Sequence, residues 1–133
     1  MTAPLFMSQQ HVDIMNRILA ADADSKAECA QLARSYWMVY ELNDGGRTVW
    51  WSVEFNPNRG VRFSLQEPDT DAPDLLYRGD YRAVVKATQR AKQGGDGEEP
   101  VTTHGDPGVM AVIGPAFAAA GRAATIASEF PEF

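Results

Sequence analysis

The amino-acid sequence predicts an α+β domain, and three observations carry that expectation. Apolar residues recur at helical spacing from Gln9 to about Arg34. The period then changes to two between Tyr36 and Leu65, where aromatic and β-branched residues dominate. From Pro107 to Ser128 the chain is rich in Ala and nearly free of charge, the composition of a long apolar helix. With 133 residues, one core is expected, burying roughly two-thirds of the unfolded surface. The whole of 1–133 is therefore read as one domain, with its core over about 8–130.

Taken in order, the first element is a helix from Gln9 to Ala20, with Val12, Met15, Ile18 and Leu19 at helical spacing and Ser8 placed to cap it. Ser25-Lys26-Ala27-Glu28 has the form of a capping box, in which hydroxyl and carboxylate satisfy exposed backbone donors reciprocally. It predicts a second helix that carries Cys29, Leu32 and Ala33 on one face and ends near Arg34. A first strand follows from Tyr36 to Leu42, and Asn43-Asp44-Gly45-Gly46 turns the chain. Arg47–Phe55 returns with Val49, Trp51, Val53 and Phe55 on one face and Thr48, Trp50, Ser52 and Glu54 on the other. After Asn56-Pro57-Asn58-Arg59-Gly60, a third strand from Val61 to Leu65 completes an antiparallel meander.

Glu67 to Pro73 is acidic and turn-rich, and Asp74 to Arg78 is a short strand. Asp80 is placed as the cap of a helix with Tyr81, Val84, Val85 and Thr88 on one face. Arg90 and Lys92 suit its last turn, and Gly94 its end. Gly94 to Pro100 reads as a flexible acidic loop and Val101 to His104 as a fifth strand. Asp106 and Pro107 then open the final helix, where Met110, Ile113 and Phe117 recur and Arg122 is the single charged side chain. Pro115 and Arg122 interrupt its apolar run, which argues against a membrane span and for cover by protein on most sides.

Composition removes several function classes. Twelve Lys and Arg against eighteen Asp and Glu leave a net charge of −6, unsuited to nucleic acid or to an anionic membrane surface. The single cysteine, Cys29, excludes an internal disulfide and suits a reducing, cytoplasmic setting, and residues 1–7 lack the features of a secretory signal. His11, Cys29 and His104 are far apart in sequence and suggest no metal site, and no cofactor motif is present. The carboxylates from Glu67 to Asp80 lack the alternating spacing of a calcium loop and read as a solvated acidic segment. His104, beside Gly105-Asp106, is the best single acid–base candidate, although a strand-end role next to a helix cap accounts for it more simply.

The aromatics are more informative. Trp37, Trp50, Trp51, Phe55 and Phe63 give the meander more large apolar surface than one packed face requires. The order of elements also resembles the sterol carrier protein 2 domain. The likeness rests on Thr48-Val49-Trp50-Trp51-Ser52-Val53, on Gly60-Val61 and on Asp74-Leu75-Leu76-Tyr77-Arg78-Gly79-Asp80 entering a helix. Val101-Thr102-Thr103-His104-Gly105-Asp106 before the apolar C-terminal helix completes it. The family's usual Ala-x-x-x-Gly-Lys-Leu type of run before the last strand is replaced by Gly94 to Pro100. The chain ends Glu132-Phe133 rather than in a peroxisomal Ser-Lys-Leu, as expected of a divergent, stand-alone bacterial-type member.

This resemblance implies a mixed, mainly antiparallel five-stranded sheet with helices packed on one face. It also implies an apolar tunnel, between the sheet and the C-terminal helix, for a lipid, fatty acyl group or sterol. The residues expected to line it are Trp37, Trp51, Phe63, Leu75, Met110, Ile113 and Phe117, with Trp50 replacing Trp51 if the other sheet face points inward. Met110, Ile113 and Phe117 are expected to point in together, the thioether adapting to ligand shape. Non-enzymatic binding or transfer is the leading reading. A rival is a small cone-shaped enzyme of ketosteroid-isomerase type, which would use a buried Asp or Tyr and finish in long strands. Another is an interaction module whose terminal helix packs on a partner protein or a second copy.

Overall fold

In the computed structural model, residues 3–95, 100–124 and 128–131 are described. Helices α1 (Gln9–Ala21) and α2 (Ala23–Ala30) precede strands β1 (Tyr36–Asp44), β2 (Arg47–Asn56) and β3 (Gly60–Ser64). Then come β4 (Leu75–Asp80), α3 (Tyr81–Lys92), β5 (Val101–Gly105) and α4 (Val109–Ala123). The five strands form one sheet in the order β3-β2-β1-β4-β5. All pairs are antiparallel except β1 with β4, whose parallel register sets Met38 beside Leu75 and Tyr40 beside Tyr77. The sheet is thus mixed and mainly antiparallel, as the sequence resemblance implied.

Strand alternation sorts the side chains. Tyr36, Met38, Tyr40 and Leu42 of β1 share a face with Val49, Trp51, Val53 and Phe55 of β2, because these residues pair directly. Leu75 and Tyr77 of β4 continue that face. It packs against Leu19 of α1, Cys29 of α2 and Val109, Ile113, Ala116 and Ala120 of α4 in one cluster, and against Val84 and Val85 of α3 in another. Trp51 touches both clusters. Residues 66–73 run over the opposite face, where the Ser52 hydroxyl donates to the Gln66 carbonyl.

Several boundaries differ from expectation, each for a local reason. Asp22, not Ser25, caps α2: its carboxylate accepts from the Ser25 N–H at 2.8 Å, and its own N–H donates to the Leu19 carbonyl. One residue therefore ends α1 and starts α2, and the capping box is unused, with Ser25 buried inside the first turn. The helix stops at Ala30 rather than near Arg34. Released from it, Arg34 lies 3.9 Å over the Tyr36 ring and pairs with Asp74 at 2.8 Å.

The third strand starts one residue early, at Gly60, and the fourth runs on to Asp80, which caps α3 by accepting from the Ala83 N–H. β5 extends to Gly105. Gly105 sits at φ +114, and a Cβ there would run into the Asp74 carbonyl, so glycine is what allows β5 to close on β4. The free edge of β3 is covered by a side chain. Asn16 of α1 accepts from the Phe63 N–H at 2.8 Å and donates to its carbonyl at 2.9 Å, imitating a neighbouring strand.

The terminal helix is shorter than expected. Pro107 and Gly108 form a turn, with Asp106 accepting from the Gly108 N–H, and α4 begins at Val109. The expected continuation to Ser128 and the expected acidic loop fall partly on 125–127 and 96–99, outside the described residues. Within this chain α4 is covered along one stripe rather than on most sides. Val109, Ile113, Ala116, Ala119 and Ala120 are buried, while Met110, Val112 and Phe117 remain 39–46% exposed. Among the described residues, no helix is long and apolar enough to cross a membrane.

Candidate functional site

An apolar cavity of about 200 Å³ lies over the helix-covered face of the sheet. Its floor is Met38, Tyr40 and Leu42 of β1, Trp51 of β2 and Phe63 of β3. α3 contributes Val84 and Thr88 to the wall, α4 contributes Phe117, and the segment before α1 contributes Phe6 and Met7. Periodicity places the strand and helix residues: β1 sets alternate residues on the floor, and Val84 and Thr88 are one helical turn apart. The Thr88 hydroxyl donates to the Val84 carbonyl at 3.0 Å, so its polarity is spent within the helix.

Rings dominate the side of the cavity near the chain termini. The Phe6 and Trp51 centroids are 6.0 Å apart, Trp51 and Phe63 5.3 Å, and Phe6 and Phe130 4.9 Å. His11 of α1 stacks on Trp51 at 5.8 Å, and its Nδ1 accepts from the Met7 N–H at 3.1 Å. Burial pushes the His11 imidazole below its ordinary value, and the Lys92 ammonium adds to the shift. The segment bearing Phe6 pairs with the chain's other end. Phe6 N–H donates to the Glu129 carbonyl at 2.7 Å, and Glu129 N–H to the Pro4 carbonyl at 2.8 Å.

The structure brings Trp51, Phe63 and Phe117 to this cavity and places the other four expected lining residues elsewhere. Trp37 pairs with Glu54 on the opposite face of the sheet and lines a polar cleft with Asp13, Asn16 and Arg62. Trp50 shares that opposite face, so Trp51 is the inward tryptophan. Leu75 and Ile113 are fully buried in the core, packed rather than facing a cavity. Met110 is exposed and meets the Tyr77 hydroxyl at 3.9 Å.

The expectation that Met110, Ile113 and Phe117 point in together is thereby corrected. At about 100° per residue, Met110 and Phe117 share one side of the helix, turned about 60° and about 40° from Ile113. Phe117 still reaches over the core, 6.3 Å from the Phe55 ring. His104 lies exposed on the face away from the cavity, beside Leu76. Cys29 is fully buried, and burial raises its thiol pKa.

Three of the lining residues missed by sequence reasoning share a signal. Met38, Tyr40 and Leu42 are the even positions of a strand whose partner residues, Val53, Trp51 and Val49, were correctly grouped on one face. Pairing through the Asn43–Gly46 turn extends that grouping to β1. Phe6 and Met7 carried no periodic signal, since they belong to neither helix nor strand and only the fold brings them to the cavity.

No family model matches the sequence, and neither does any curated protein. Solved structures do resemble it. One is described as sterol carrier protein 2, with a TM-score of 0.53 and 10% identity over 92% of this chain and 99% of that one. Another is a conserved hypothetical protein of Thermus thermophilus whose description suggests a sterol carrier protein. It has a TM-score of 0.58 and 13% identity over 97% of this chain and 94% of that one. The likeness runs over nearly the whole of both chains in each case: this chain has the sterol carrier protein 2 fold.

Proposed function

We propose that the protein is a non-enzymatic binder and carrier of an apolar ligand, held between the sheet and helices α3 and α4. The observation that carries this reading is the cavity, whose walls are almost entirely Met, Leu, Val and aromatic side chains. Affinity would come from removing ligand surface from water, at about 25 cal/mol per Å² before ordering costs. At about 200 Å³ the space is below the roughly 300–1,000 Å³ of pockets for drug-sized molecules. It suits one slender acyl chain better than a rigid fused-ring sterol. The neighbouring structures, described as a sterol carrier protein and as possibly one, support an apolar ligand in general. Against the cone-shaped enzyme, the described chain finishes not in long strands but in α4 and an isolated bridge.

Native mass spectrometry of the freshly purified protein, followed by solvent extraction, tests the reading. A reproducible added mass that extracts as a lipid is expected. A protein that arrives empty and takes up no fluorescent fatty acid would overturn it. Two substitutions on α4 then separate cavity from helix surface. Phe117→Asp puts a charge at the cavity wall and is expected to weaken fatty-acid uptake at least about tenfold, the cost of an unpaired charge against apolar walls. Met110→Asp, on the same helix but outside the cavity, is expected to leave uptake unchanged. Equal loss in both variants would point to a role for the helix surface instead.

A further inference from the structure

Met7 is the one non-glycine residue at positive φ among those described, at +61, a conformation that crowds an L-residue's Cβ against the following carbonyl oxygen. Its N–H points at Nδ1 of His11, which accepts it only while that nitrogen carries no proton. Both groups are buried, His11 at 4% and Met7 at 9% exposure. The side chains of Phe6 and Met7 wall the cavity, so the same hydrogen bond that holds this left-handed turn also holds one wall in place.

We propose that His11 is a proton-operated latch on that wall: neutral, it fastens the Met7 turn against the cavity, and protonated, it lets that turn loosen. Protonation at Nδ1 sets an N–H donor against the Met7 N–H donor, and a new cation appears beneath the aromatic wall. Lys92 of α3 makes that cation less welcome, since its ammonium already lies 5.7 Å from the Phe6 centroid and 5.5 Å from that of Phe130. The other elements around His11 bring neutral rings, Trp51 from β2 and Phe6 from the N-terminal segment, and Glu129 of the C-terminal segment is exposed. With the Met7 bond lost, the left-handed turn keeps only the bond from the Ser8 N–H to the Leu5 carbonyl at 3.0 Å, and Met7 is free to leave the wall. The segment then stays attached through the Pro4–Glu129–Phe6 backbone bonds at the chain ends.

The sign follows from linkage. The folded imidazole binds its proton less readily than a free one, so the latch contributes fully above the ordinary value of 6.5. Its contribution is lost as pH falls through the lowered folded value. If the cavity holds an apolar ligand, as the carrier reading has it, acid opens the Phe6–Met7 side and speeds release.

The test is amide hydrogen exchange of the ligand-free protein, corrected for intrinsic exchange, near pH 7.5 and near pH 5. Protection of the Met7 amide is expected to fall about tenfold in acid, the equivalent of one buried hydrogen bond, while Val53 in the sheet is unchanged. His11→Asn keeps an acceptor near the Nδ1 position but cannot titrate, and is expected to remove the pH dependence. Unchanged Met7 protection in the wild type, or the same fall in the Asn variant, would overturn the latch. Should the variant fold poorly, the wild-type His11 ring and Met7 amide resonances are expected to titrate with one midpoint, and separate midpoints overturn it equally. Release of cis-parinaric acid, followed by fluorescence at both pH values, judges the carrier reading separately, because the exchange experiment needs no ligand.

Discussion

Cys29 and Asp74 show how far one side chain's surroundings decide its chemistry. Cys29 is fully buried between α2, the sheet and α4, and burial pushes its thiol upward, away from the thiolate that reacts. Native protein at about pH 8 is therefore expected to react with a disulfide reagent at least about a hundredfold more slowly than denatured protein. Comparable rates would show that α2 opens readily. Asp74 is the opposite case. Burial works against its charge, but hydrogen bonds from Arg34 and from the Trp37 N–H outweigh it and hold the carboxyl below the usual carboxylate range. Asp74 thereby ties the connection after α2 to the start of both β1 and β4.

Among the elements, β5 and α4 depend most on small residues. β5 is short and exposed along most of its length, and its end is admitted to the sheet only because Gly105 brings no side chain toward Asp74. Gly105→Ala is expected to cost about 2–4 kcal/mol in urea unfolding, from backbone strain and a direct clash. A loss below about 0.5 kcal/mol would mean that the strand adjusts freely. α4 uses alanine in a related way: Ala116 and Ala120 let its axis come close to α2, where a larger residue would hold it off. The helix then spends Ile113 on the core and leaves Phe117 at the cavity rim.

For the whole molecule, acid stability combines three depressed groups in two windows, His11 in one and the carboxylates Asp22 and Asp74 in the other. His11 contributes fully above 6.5 and its share drains as pH falls through the lowered folded value. Asp74 contributes fully above 3.8 and its share drains only as pH falls through a folded value lower still. A urea-stability profile is thus expected to descend in two stages. Asp74→Asn should shrink the more acid stage, which Asp22 shares, and cost about 1–2 kcal/mol at neutral pH, the worth of hydrogen bonds to a partly exposed charged partner. A profile with its lower stage intact in that variant would assign the stage to another carboxylate.

Local rules determined which segments became helix or strand. The change of period at Tyr36, the Asn43–Gly46 turn, the Asp80 cap and the Ala-rich end were all legible, because propensity, patterning and turn chemistry act within a few residues. The same rules put Trp51 and Phe63 on usable faces. They favoured Ser25 as the cap of the second helix, and only the one-residue joint between α1 and α2 selects Asp22 in its place. Nor could they assemble the cavity wall. Phe6 and Met7 reach it through pairing with Glu129, more than a hundred residues away in the chain, and through the acceptor nitrogen of His11. Trp37 and Met110 share composition and spacing with true lining residues, yet lie on other surfaces. Which side of a strand or helix faces a cavity is decided by what packs against it, and that is a property of the tertiary structure alone.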